Sequence, residues 1–159
     1  MMKAESLNKK FWDAFLENVR KCTDFYKNTQ SGGKSYIKTN LGIGGVAFST
    51  CIRADDGVAW VELCFQKEDA DDNRKLFNEY FCEKEEIENR FGDELEWVDY
   101  KDVNDKKDIK RRRIKCKNII FDAKDSSTWK ETHQNLAENM AKLKNSLKEY
   151  GILKSIKIL

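Results

Sequence analysis

From Gly44 to Phe65, apolar and polar positions alternate on either side of Asp55-Asp56-Gly57, which predicts a β-hairpin. Val46, Phe48, Thr50 and Ile52 share one face of the first strand, and Ala59, Val61, Leu63 and Phe65 share the same face of the second. The opposite face is mixed, with Ala47, Ser49, Cys51 and Arg53 on one strand and Val58, Trp60, Glu62 and Cys64 on the other. A two-stranded hairpin is marginal alone, so its apolar face calls for a helical cover.

Outside the hairpin a period near 3.6 alternates with a period of two. Leu7, Phe11, Phe15, Leu16, Val19, Cys22 and Tyr26 predict a first helix over 5–27 with Ser6 as its cap. A polar loop over 28–34 leads to a strand at 35–39 and then to the glycine cluster Gly42, Gly44 and Gly45, read as a bend or bulge. Asp69, Asp71 and Asp72 open a helix over about 69–81, where negative charge suits the unpaired amides. Its apolar side is Leu76, Phe77, Tyr80 and Phe81, and a second helical piece over 83–90 stops at Gly92. Residues 94–98 alternate as a fourth strand with Leu95 and Trp97 inward. A fifth runs from Arg113 through Ile114 and Cys116 to Phe121, with a bend near Asn118. The charged stretch 104–113 begins as an exposed loop. Trp129, His133, Leu136, Met140, Leu143, Leu147 and Tyr150 place the last helix over 128–150, ended by Gly151. The weakly alternating tail 152–159 reads as an edge strand, a segment folded on the body, or a strand paired with another subunit.

The order of elements predicts an α+β fold: a two-layer domain with a mainly antiparallel sheet of about five strands, packed on one face by helices. The first three strands form a meander. The last helix is expected to pack Leu136, Met140, Leu143 and Leu147 onto the face holding Phe48, Val61 and Leu63. The chain, 1–159, is expected to be a single domain.

Composition narrows the function only slightly. Thirty basic and twenty-eight acidic residues leave a net charge of +2, so an anionic partner has to be argued from charge distribution. The five cysteines form no Cys-x-x-Cys and none lies near the one histidine; buried reduced thiols are expected, and neither metal nor cofactor. With no apolar leader and no run of membrane-span length, the expected location is the cytoplasm, as a monomer or homodimer with no membrane partner. The chain contains no proline.

Candidate chemistry lies on the mixed sheet face. Arg113, Lys115 and Lys117 would project there from the fifth strand, with Arg111 continuing the series. Such a row tracks phosphates if uncompensated; if Glu62, Glu94 and Glu96 pair with it, the face is neutral. Trp60 would stand beside Glu62, either as a platform for a base or protein partner, or under the cover of a loop or the tail. A metal-dependent nuclease outline can be traced through Asp56 or Glu62 with Asp105 and Lys107, but Asp105-Lys106-Lys107 falls in a polar loop. Gly32-Gly33-Lys34 lacks the strand-before-helix context of a phosphate loop. His133 sits on an apolar helix stripe and reads as a packed residue. A binding or accessory domain, a small nuclease or its remnant, and a protein-interaction module are the three readings left open.

Several short motifs occur in a telling order: Phe11-Trp12 in the opening helix, Val61-Glu62-Leu63, Ile87-Glu88 running to Phe91-Gly92 and Leu95-Glu96-Trp97, Arg113-Ile114, and Trp129 opening the last helix. Together they resemble the domain of unknown function family 4268 over nearly the whole chain. The resemblance implies a domain found alone or behind other domains, some of which resemble DNA-cleaving enzymes of bacterial and archaeal defence systems. A stand-alone version resembles the accessory part without the catalytic part, which implies nucleic acid or a nuclease-type protein as partner. No catalytic residue carries over; the positions that look family-typical are Glu62, Glu96, Trp97, Arg113 and Ile114.

Overall fold

A computed structural model describes residues 3–99 and 111–156. Helix α1 is Ala4–Val19, followed by strands β1 (Tyr36–Asn40), β2 (Val46–Arg53) and β3 (Val58–Phe65). Helices α2 (Ala70–Phe81) and α3 (Lys84–Phe91) come next, then β4 (Glu96–Asp99), β5 (Arg112–Lys115), the two-residue β6 (Ile119–Ile120) and helix α4 (Trp129–Leu147). Every pairing is antiparallel, in the order β1-β2-β3-β5-β4, with β6 beside β3. The fold is therefore a mixed α+β one in which helices pack a mostly antiparallel sheet.

The hairpin is closed by a single 3-10 turn, Ala54–Asp56, and Gly57 takes the left-handed φ of 64° that lets Arg53 face Val58 across the strands. Its register sets Val46 against Phe65, Phe48 against Leu63, Thr50 against Val61 and Ile52 against Ala59 on the inner face. From β5, Ile114 joins that face opposite Leu63. These side chains form one hydrophobic core with Phe11 and Phe15 of α1, Phe77 and Tyr80 of α2, Ile87 of α3, and Leu136, Met140, Leu143 and Leu147 of α4. The expected docking of the last helix on Phe48, Val61 and Leu63 is thus what the core contains.

Several expectations need correction. Helix α1 ends at Val19, and no side chain caps its start, so Ser6 has no capping role. The apolar spacing continues to Tyr26 because the chain goes on packing after it stops being helical. Phe25 and Tyr26 are buried, the Phe25 N–H donates to Thr23 Oγ1, and Arg20 donates to the Tyr26 and Thr29 carbonyls. Strand β5 ends at Lys115, which leaves Lys117 outside the ladder. The tail adds no strand over its described part: Gly151–Ser155 is a 3-10 turn that buries Leu153 in the core, where the Leu153 N–H donates to the Tyr80 hydroxyl at 3.0 Å. Of the five free cysteines, Cys51, Cys64 and Cys116 are buried, but Cys22 and Cys82 are exposed. No helix among the described residues is long and apolar enough to cross a membrane.

One buried amide, invisible to periodicity, fixes the passage from β3 to α2. Asn73 accepts from the Lys67 N–H at 2.7 Å and donates to the Lys67 carbonyl at 2.9 Å. Its side chain thereby satisfies both backbone groups where the sheet ladder stops.

Candidate functional site on the second sheet face

The centre of the second sheet face is buried, and the start of α1, through Ala4 and Asn8, reaches its border. The middle row of the face runs across five strands as Lys38, Ser49, Glu62, Lys115 and Glu96. The row on one side is Tyr36, Cys51 and Trp60, and on the other Asn40, Ala47, Cys64, Arg113 and Val98. Glu62 is 3% exposed and Trp60 7%. Long side chains provide much of this cover, since Arg and Lys lay aliphatic stems across a surface while keeping their charged ends near water. The Arg53 guanidinium stands 5.8 Å, and the Lys115 ammonium 4.9 Å, from the Trp60 ring centroid.

Glu62 is the centre of the arrangement. Its Oε1 accepts from Trp60 Nε1 at 2.6 Å, from Arg113 Nη1 at 3.2 Å and from the Cys51 thiol at 3.6 Å. Arg113 lies one step diagonal to Glu62 across the β3–β5 pairing, so the contact follows from register. Around this group opens a cavity of about 490 Å³ bordered by Tyr36, Lys38, Arg53, Arg111, Arg113 and Glu62, among others.

The expected basic row is dispersed. Arg111, just before β5, and Arg113 border the cavity. Lys115 is buried and held by Glu96 at 2.6 Å and the Asn118 side chain at 2.6 Å. Lys117 pairs with Asp93 at 3.1 Å on the surface, and that hydrogen bond raises its pKa. Arg112, opposite Phe65, turns to the inner side and pairs with Asp99 at 2.8 Å. Of the two readings of this row, the paired one describes Arg113, Lys115 and Lys117, whose acidic partners are Glu62, Glu96 and Asp93, the last in the role expected of Glu94. Of the two readings of Trp60, the covered one describes it: its ring is buried and its N–H is engaged by Glu62.

The remaining candidates are structural. Asp56 lies in the hairpin turn, paired with Arg53 at 3.4 Å. Glu62 lies on β3 with Trp60, Cys51 and Arg113 as its partners, so the two carboxylates have separate surroundings. Asp105, Lys106, Lys107 and Lys110 lie outside the described residues. Among the described residues no three His, Cys, Asp or Glu side chains are grouped to hold a metal. Burial pushes the Cys64 and Cys116 thiols up to about 12 and the Cys51 thiol well above its usual value, so none is a ready nucleophile. His133 is buried against Phe11 and Phe15, its Nδ1 accepting from Asn18 at 3.1 Å, and burial pushes its pKa down to about 4. The Gly33 and Lys34 carbonyls accept from Asn8 and Trp12, so that loop anchors α1.

Sequence reasoning overlooked Tyr36, because its place beside Cys51 and Trp60 depends on the β1–β2 register. Alternation within β1 was the one signal that it shares a face with Lys38.

A family model described as Domain of unknown function (DUF4268) matches residues 7–151. No curated protein and no solved structure matches the chain.

Proposed function

The chain belongs to the DUF4268 family, and on that premise we propose that it is a non-catalytic binding or accessory domain that holds nucleic acid by its phosphates. Any chemistry on the bound strand falls to a nuclease-type partner protein. The observation that carries this reading is the border of the sheet-face cavity, where four cations, Lys38, Arg53, Arg111 and Arg113, stand among the described residues with two carboxylates, the buried Glu62 and the exposed Asp55. A guanidinium presents five N–H donors in a fixed fork, so bonding within the chain and bonding to phosphate are compatible on one side chain. The non-catalytic part rests on Glu62, whose Oε1 is occupied by three donors, on the Cys51 and Cys64 thiols of the cavity wall, whose pKa values burial raises, and on His133, which is buried apart from this cavity.

A second reading, a protein-interaction module, is favoured by one observation. Lys115 and Lys117 are matched by Glu96 and Asp93, which leaves the β5 side of the face with little net charge.

Fluorescence anisotropy with labelled single-stranded and duplex oligonucleotides, at about 50 and 200 mM salt, separates the two. Phosphate binding should weaken steeply with salt. Lys38→Gln and Arg53→Gln, at rim positions that tolerate change, should each flatten the dependence of log affinity on log salt by about 0.7 for single strands. No binding at the lower salt, or salt slopes unaltered in both variants, would overturn the nucleic-acid reading in favour of a protein partner.

A further inference from the structure

We infer that the sheet-face cavity is a nucleotide pocket, taking one unstacked base together with its phosphate. The inference rests on the binding reading above and gives it a chemical occupant. Three features converge on it.

The first is an acceptor. Every donor that reaches Glu62 goes to Oε1, and among the described residues none goes to Oε2, although Glu62 is 3% exposed and borders the cavity. A carboxylate oxygen that takes no donor from the described chain at a cavity wall is placed to accept an N–H from an occupant. Arg113 stands directly beside it with Nη1 3.2 Å from Oε1, so the wall presents an acceptor next to a donor. The edge of a nucleobase presents the complement, an N–H beside a ring nitrogen or carbonyl.

The second feature is an aromatic face. In the row Tyr36, Cys51, Trp60, the tryptophan is buried and the tyrosine is 37% exposed at the cavity border. The Lys34 and Lys38 ammonium groups lie 5.6 and 5.3 Å from its centroid. An exposed ring on a sheet strand is the platform on which single-stranded binders stack a base. The third feature is the cationic rim of Lys38, Arg53 and Arg111, placed for the phosphate. At about 490 Å³ the cavity falls in the ordinary range for small-ligand sites, about 300–1,000 Å³.

The test compares a labelled single-stranded oligodeoxycytidylate with an abasic oligomer of the same length and charge, by anisotropy at one salt concentration. The base-containing strand should bind about tenfold tighter, the gain expected of one stacked base. Tyr36→Ala should remove that difference and Tyr36→Phe retain it, with the salt dependence unchanged in both. Glu62→Gln should also remove it; since Glu62 is buried, its melting curve is recorded alongside, and the Tyr36 pair decides the matter by itself. Equal affinity for the two oligomers would overturn the pocket while leaving phosphate binding intact. Absence of binding to either oligomer, and to deoxycytidine monophosphate, would overturn both. Binding of the free monophosphate by the wild type but not by Tyr36→Ala, without oligomer binding, would support the pocket with a free nucleotide as its occupant.

Discussion

Glu62 and His133 show how a residue's chemistry is decided by neighbours that the sequence does not name. Alternation placed Glu62 and Arg113 on the same mixed face, and both are there; that their strands are neighbours is a matter of strand order. Alternation could not say that Trp60 would lie under Arg53 and Lys115, because long side chains reach across strands that are distant in the chain. His133 was legible as a packed residue from its stripe, and its burial has a consequence for pH. Its pKa falls from an ordinary 6.5 to about 4 because the charged form is desolvated in the core. Between those values the unfolded chain takes up a proton that the native state refuses, so stability falls as pH drops from about 6.5 toward 4. His133→Gln, neutral throughout, should flatten the loss of melting temperature over that interval. An equal pH slope in the two proteins would refute the assignment.

At the scale of elements, periodicity located each helix and strand but misjudged ends where packing outlasts regular structure, as at Val19. The docking of α4 was legible because one stripe and one sheet face were each apolar and each lacked another cover. The seating of the 3-10 turn after it was not legible, because it depends on two particular contacts. Gly151 has a φ of 51°, and a Cβ there would stand 2.6 Å from the Tyr80 ring. The Tyr80 hydroxyl in turn accepts from the Leu153 N–H. Leu143→Ala should cost about 2–5 kcal/mol through the cavity it leaves in the core. Tyr80→Phe removes no comparable volume and should cost about 1–3 kcal/mol through the buried N–H it orphans. Urea denaturation checks both, and hydrogen exchange at Leu153 should accelerate in the tyrosine variant alone.

For the molecule as a whole, the two-layer architecture could be read from the order of elements. The strand order could not, since a period of two says which face a residue occupies and not which strand lies next to it. The cavity was hidden for the same reason: its border brings Tyr36 of β1, Glu62 of β3 and Arg113 of β5 onto one face, with β2 lying between the first two strands. The strand order itself divides the sheet into a consecutive meander, β1-β2-β3, and a pair, β4-β5, joined through the pairing of β3 with β5. Antiparallel neighbours close in sequence form with little loss of chain entropy, whereas the joining seam is non-local. The meander is therefore expected to be formed in the folding transition state and the β4-β5 pair to dock after it. Ile52→Val, inside the hairpin, should slow folding, and Ile114→Val, at the seam opposite Leu63, should mainly speed unfolding. Equal φ-values for the two would contradict this order. Because the Glu62–Arg113 pair spans that seam, this order would make the candidate site complete only once the seam closes, and would make it the part exposed first if the seam opens.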